Sequence, residues 1–183
     1  MSARALPVVL QAAVDITGAR AGWALAAEGD QAEVVAAAGE GAGDAMGVTI
    51  DVHTGAAGFV IASGEPLAVA PRPDDPIATD GVAAALGRTP SSVLCVPCGF
   101  DGDVLGALEL IDKTGGGPFL FDDVELATVL GDVIGALLAD GGGGRPAVPT
   151  PDELRADLRR LAAADPARYA AVAVAMASLL SNG

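Results

Sequence analysis

Residues 91–114 read SSVLCVPCGFDGDVLGALELIDKT. The stretch reads as two strands joined by a tight turn. Ser92 to Phe100 is an apolar run rich in Val and Leu. Asp101-Gly102-Asp103 follows, and Asp-Gly is a strong hairpin signal because both residues tolerate positive φ. Val104 to Lys113 is the return strand. Alternation puts Val104, Gly106, Leu108 and Leu110 on one face and Leu105, Ala107, Glu109 and Ile111 on the other. Both faces are largely apolar, so the hairpin is expected in the middle of a sheet covered on both sides. Glu109 interrupts one of those faces and marks its cover as incomplete.

Upstream, Leu6, Val9, Leu10, Ala13 and Val14 recur at helical spacing, with Pro7 suited to the first turn and Gly18 to the stop. Ala19 to Ala27 and Ala32 to Ala38 read as two strands around the turn Glu28-Gly29-Asp30-Gln31, with Trp23 and Leu25 on one face. Residues 39–47, GEGAGDAMG, read as a flexible loop. Short elements follow: a strand at Val48–Val52, a helix at Ala56–Ala62 ended by Gly64, and a strand at Pro66–Ala70. Residues 71–80 read as irregular and acidic, with Asp80 capping a helix from Gly81 to Leu86.

Downstream, Gly115-Gly116-Gly117-Pro118 breaks the return strand. Phe119 to Asp123 leads into a long helix ending near Ala139, with Leu126, Leu130, Val133, Ile134, Leu137 and Leu138 as its buried stripe. Gly131 and Gly135 sit one turn apart on it, a pairing that lets another backbone approach closely, either the chain's own sheet or a second copy. Residues 141–149 form a Gly/Pro linker. Thr150-Pro151-Asp152-Glu153 is a capping box. Leu154, Leu158 and Leu161, then Tyr169, Val172, Ala173, Met176, Leu179 and Leu180, mark a pair of amphipathic helices over 150–183. Such short helices cannot bury their stripes alone and need each other and some further surface.

The order of elements implies an α+β fold. A central antiparallel sheet of five or six strands carries the N- and C-terminal long helices on one face. The irregular middle, residues 39–90, covers the other, and the C-terminal helical pair is an appendage. The expected units are therefore a domain at 1–140, a linker at 141–149 and the helical pair at 150–183.

Composition bounds the function. The chain has 183 residues, of which 51% are hydrophobic, enough for a domain with a real core plus an appendage. No apolar run approaches the roughly 18 to 20 residues that span a bilayer. Gln11 and Asp15 interrupt the N-terminal apolar stretch, so a signal peptide is not expected and the chain reads as cytoplasmic. Residues 1–140 carry 5 basic and 20 acidic groups, whereas residues 141–183 carry 5 basic and 4 acidic ones. The domain would repel nucleic-acid phosphates and anionic membranes, and the tail is a chemically different object. Two cysteines and one histidine are too few for a four-ligand zinc site of Cys and His.

The stretches GAAGFVIASGEPLAV at 55–69, SSVLCVP at 91–97, GALELIDK at 106–113 and PFLFDDVEL at 118–126, in this order, resemble the GAF domain over residues 5 to 140. The resemblance implies a GAF/PAS-like sheet with helices on one face and a small-molecule pocket on the other. It further implies a regulatory role and dimerisation through the terminal helices. Some GAF domains carry an Asn-Lys…Phe-x-x-x-Asp-Glu signature associated with cyclic nucleotides. Here Asp112 replaces the Asn and Val124 the Glu, while Lys113, Phe119 and Asp123 match. The match implies that Lys113 and Asp123 tie the last strand to the last helix.

Four residues are candidate ligand contacts: Glu109, His53, Phe59 and Arg88. Glu109 stands on the pocket side, where a carboxylate can receive a ligand amine or amide or pair with Arg88; the alternative is an edge or interface glutamate. His53 is the chain's histidine, and a loop or helix-start role suits a lone imidazole better than ligation. Cys95 and Cys98 are spelled CxxC but lie in a strand, where a separation of three puts them on opposite faces, as core residues. No nucleophile–base pair, paired carboxylates or phosphate loop stands out. The expectation is a non-enzymatic sensor without cofactor or metal, a homodimer that binds a small molecule or, through residues 150–183, a protein partner. The alternatives are an adaptor with an empty pocket and a thiol-based free-methionine-sulfoxide reductase.

Overall fold

The computed structural model describes residues 2–72 and 74–141, together with helical residues at 158–160, 162–163, 166–167, 169–170 and 172–174. The expected linker and most of the C-terminal helical pair lie outside the described residues.

Along the chain the elements are α1 (Ser2–Thr17), β1 (Ala19–Glu28), β2 (Gln31–Gly39), a 3₁₀ turn (Ala42–Ala45), β3 (Thr49–Asp51) and α2 (Gly55–Ser63). They continue with β4 (Leu67–Val69), α3 (Pro76–Thr79), α4 (Val82–Ala85), β5 (Val93–Phe100), β6 (Asp103–Lys113) and α5 (Phe121–Gly141). Six strands form one sheet in the order β3-β2-β1-β6-β5-β4, and every neighbouring pair is antiparallel. This is not a single run of consecutive hairpins. Two three-stranded meanders meet where β1, the first strand, pairs with β6, the last.

The hairpin at residues 91–114 forms as its sequence demands. Phe100 pairs with Asp103, and the two loop residues Asp101 and Gly102 take φ of 52° and 91°. Both values are positive, which the twist of a two-residue hairpin requires. Pro97 lacks an amide to donate, and β4 reaches along β5 only from Val93 to Cys95. The proline therefore falls where that edge is already open.

From Gly106 to Ile111 the faces separate as the alternation requires, whereas the bulge at Leu105 reverses the expected sides of Val104 and Leu105: Leu105 joins Leu137 and Leu138 on the α5 side and Val104 approaches Gly64 at the end of α2. Leu94, Val96, Cys98, Leu108 and Leu110 pack with Leu10, Val14, Leu130 and Ile134 under α1 and α5. Trp23, Leu25, Cys95, Ala107 and Ile111 pack on the opposite, inner face with Ala42, Ala57, Val60 and Val82 of the cover. Gly131 and Gly135 are what let α5 lie so low: a Cβ on them would strike the carbonyl oxygens of Pro97 and Gly99 on β5. The close approach is to the chain's own sheet.

Three local expectations change. Pro7 lies inside α1 rather than in its first turn; the helix starts earlier, at Ser2. Residues 71–80 are not wholly irregular, because the Asp75 carboxylate accepts from the Ile77 amide at 3.0 Å and caps α3. Gly81, not Asp80, precedes α4 as its cap.

Candidate functional site

The inner face is the face on which a carboxylate has no reason to be. β6 brings Glu109 to its centre, directly across from Trp23 on β1 and Cys95 on β5. The glutamate is 4% exposed. No described residue gives it a hydrogen bond or an ion pair. Every fully enclosed side-chain polar atom among the described residues has a partner, so the Glu109 oxygens keep a trace of surface, space that a water-sized group touches. Loss of water raises its pKa from 4.5 to about 7, because burial penalises the charged form.

The cover over Glu109 is made of small residues held down by backbone contacts. α2 lies across β5 and β6 and buries Ala56, Ala57, Gly58 and Val60. A Cβ at Gly58 would meet the Val52 carbonyl, and one at Gly55 would strike the Asp80 carbonyl. Gly55 also has φ +65°, a conformation costly for any other residue. The 3₁₀ turn joins the cover through Trp23, whose Nε1 donates to the Ala42 carbonyl at 3.2 Å. Residues 39–47 are thus not simply a loose loop, since Ala42 and Ala45 are fully buried. Trp23 itself is fully buried on this side of the sheet.

The other candidate residues do not reach Glu109. His53 is exposed and stands 3.8 Å from the Asp30 carboxylate. Phe59 is half exposed on α2. Arg88 turns away from the core: its Nη1 donates to the Glu40 carbonyl at 3.1 Å and its Nη2 lies 3.8 Å from Asp112 Oδ2. Of the alternatives open to Glu109, a pair with Arg88 does not form; Arg88 lies against Asp112 instead. Asp112 sits at φ 56°, and its Oδ1 accepts from both the amide and the hydroxyl of Ser91, at 2.7 and 2.9 Å.

Lys113 and Asp123 do form the expected tie. The Lys113 ammonium is hydrogen-bonded to Asp123 Oδ2 and lies 5.8 Å above the Phe119 ring. The same Oδ2 accepts from the Leu120 amide at 2.6 Å, capping the start of α5. These residues are structural fasteners, and their groups are already used within the chain.

Cys95 and Cys98 are free thiols, one packed into each core. Burial pushes both pKa values up, and the Glu109 carboxylate adds to the rise at Cys95. Neither is poised as a thiolate.

A second concavity, which the sequence analysis does not anticipate, lies at the end of the sheet near the C-terminus of α5. It is an open groove of about 1090 Å³ whose walls include Leu6, Val35, Phe100, Leu105, Leu137 and Leu138. Both bulges of the sheet feed it. Val35 is the unpaired residue between the Ala24–Ala36 and Leu25–Val34 pairs, and Leu105 is the unpaired residue between Cys98–Gly106 and Gly99–Val104. Bulges re-aim side chains, and their positions cannot be read from the composition of a strand.

The GAF domain family profile matches residues 3–138. No curated protein sequence matches the chain. Among solved structures, the chain is similar to the GAF-B domain of DevS from Mycobacterium smegmatis, with a TM-score of 0.60 at 19% identity over 88% of this chain and 99% of that one. It is similar to the GAF domain of a phosphoenolpyruvate-protein phosphotransferase from Coxiella burnetii, with a TM-score of 0.65 at 19% identity over 76% and 83% of the two chains. A type II free methionine-R-sulfoxide reductase from Thermoplasma acidophilum gives a TM-score of 0.58 at 14% identity over 76% and 96%. At these identities the likeness is one of fold.

Proposed function

The chain belongs to the GAF domain family, and from that premise we propose that it is a non-enzymatic regulatory module that senses a small molecule at the inner face around Glu109. The carrying observation is the carboxylate itself. A charged group enclosed without a partner costs several kcal/mol, and a ligand that supplies a hydrogen-bond donor or a cation recovers that cost. The matching ligand is small, apolar in body and cationic or donor-bearing at one end. Its binding requires the cover of α2, α4 and the 3₁₀ turn to lift. His53, Phe59 and Arg88 stand on the margin of that cover, where an entering ligand passes. α1 and α5 lie on the opposite face and carry the response to an output in trans. Val8 on α1 and Val133 on α5 are exposed, which supports a homodimer through these helices. Among the described residues no helix is long and apolar enough to cross a membrane, which agrees with a cytoplasmic site of action.

The test is a thermal-shift panel of small amines, amides and guanidines on the full chain, repeated on Glu109→Gln. A stabilising ligand whose effect is lost in the variant is expected. A panel without any stabilising compound, or one whose effects survive the substitution, counts against the reading. The second reading is a protein-interaction adaptor. It is favoured by the open groove at the sheet end.

A further inference from the structure

α4 is one turn of helix with little of its own to hold it on the inner face. Two small side chains, Val82 and Ala83, are buried in the inner core. Its backbone hydrogen bonds are local: the Leu86, Gly87 and Arg88 amides donate to carbonyls of Val82, Ala83 and Ala84. Gly81 and Gly87 bracket the helix, and a Cβ at either would meet nothing within 4 Å. A single turn between two unobstructed glycines needs a tie from outside to stay seated.

Arg88 supplies that tie. Its Nη1 donates to the carbonyl of Glu40, 48 residues away, at 3.1 Å. Glu40 directly precedes Gly41, which caps the 3₁₀ turn. Its Nη2 lies 3.8 Å from Asp112 Oδ2 at the end of β6. One guanidinium thus joins α4, the approach to the 3₁₀ turn and the sheet. Both partners are anchored: the Glu40 amide donates to the Arg20 carbonyl at 2.8 Å, and Ser91 gives both its donors to Asp112. α4 is therefore the part free to move.

The tie is also releasable. The Arg88 side chain is 30% exposed, and a concavity of about 390 Å³ bounded by Glu40, Asp44, Leu86 and Arg88 opens beside it. Charged contacts that water reaches from one side are modest and are screened by salt. We propose that Arg88 is the latch of the inner face: its two contacts hold α4 down, and their release swings α4 about Gly81 and Gly87 and opens the way to Glu109. As regulation of the Glu109 site the latch rests on the sensor reading, but its test uses no ligand, so an empty ligand panel and a failed latch are told apart.

Hydrogen–deuterium exchange is compared among full-length wild type, Arg88→Ala and Asp112→Asn. Asn tolerates the positive φ and keeps an acceptor for Ser91, so that variant removes the charge facing Arg88 and little else. Exchange in a peptide covering 82–88 is expected to rise about fivefold in both variants, while 127–135 on α5 is unchanged. Raising NaCl from ~0.05 to ~0.5 M is expected to speed the same peptide in wild type and to leave Arg88→Ala as it is. The second measurement is maleimide labelling of Arg88→Ala in native buffer. Cys95 shares the inner core with Val82 and Ala83, whereas Cys98 lies in the other core. Labelling of Cys95 with Cys98 still protected is expected. Unchanged exchange at 82–88, a Cys95 that stays protected, or Cys95 and Cys98 becoming reactive together would each overturn the inference.

Discussion

Trp23 stands directly across the ladder from Glu109, yet its indole N–H is given to the Ala42 carbonyl rather than to the carboxylate. Indole has one donor and no acceptor, so the neighbour closest in register cannot satisfy the glutamate. The side chain nearest to Glu109 in register therefore spends its donor elsewhere, and the glutamate has no partner among the described residues.

The first consequence is a pH dependence of stability. Glu109 has a folded pKa of about 7 against 4.5, so the folded state holds the proton more tightly than the unfolded chain does. Its contribution is complete below pH 4.5 and is lost as the pH rises through 7. The full swing is on the order of 3 kcal/mol. Urea unfolding of wild type and of Glu109→Gln at pH 5 and pH 8.5 checks this. The wild type is expected to lose more stability over that interval than the variant, and equal losses would refute it.

The same titration has an optical reporter. Trp23 is the chain's one tryptophan and is fully buried beside Glu109. Its emission in the native protein is expected to shift with a midpoint near pH 7, and the shift is expected to vanish in Glu109→Gln. A flat profile in wild type would contradict the placement of the carboxylate.

Much of this arrangement was legible in the residues. The alternation of Leu108, Glu109 and Leu110 put the charge on the face away from the long helices, and the Asp101-Gly102 pair marked the turn. The partners of Glu109 were not legible, because they depend on which strands meet. Nothing local to Trp23 says that β1 pairs with β6, a contact across the whole length of the domain. The groove escaped for a related reason. Val35 and Leu105 alternate as ordinary strand residues, and only the register of a neighbouring strand turns each into a bulge. His53, in the turn before α2, and Phe59, on its outer side, are exposed because of how α2 lies on the sheet, which no local pattern encodes.

The fastening of β6 to α5 is expected to be unequal in its parts. Asp123 both pairs with Lys113 and caps the Leu120 amide, whereas Lys113 contributes only its charge and its place over Phe119. Asp123→Ala is expected to cost about 1–2 kcal/mol, in the range of a lost cap with a lost pair. Lys113→Ala is expected to cost under about 1 kcal/mol. Chemical denaturation of the two variants decides it, and the reverse order would show that the ion pair rather than the cap dominates.

The thiols give a kinetic prediction. Cys95 and Cys98 are fully buried and lie in separate cores, with their pKa values raised by burial. A thiol reagent added to native protein is expected to label neither, and labelling of both is expected to track global unfolding in urea. Fast labelling of either one in native buffer would restore the reductase reading. A Cys95→Ser/Cys98→Ser protein would then be the next comparison.

The seating of α5 yields the largest expected loss. At Gly135 a methyl group would land on the Gly99 carbonyl oxygen, and at Gly131 on the Pro97 carbonyl oxygen, whereas nothing lies within 4 Å of the Cβ position at Gly43 or Gly117. A backbone oxygen cannot rotate aside as a side chain can, so α5 must rise from β5 and uncover Val96 and Cys98. Gly135→Ala is expected to destabilise by about 2–4 kcal/mol, since overpacking here also opens a layer of the core. Gly117→Ala, in open space, is expected to change stability by less than about 0.5 kcal/mol. The two variants carry the same added methyl group, so helix propensity favours alanine at Gly135 by about 1 kcal/mol and works against the expected result. A Gly135→Ala protein as stable as wild type would therefore mean that α5 does not rest on β5 as described.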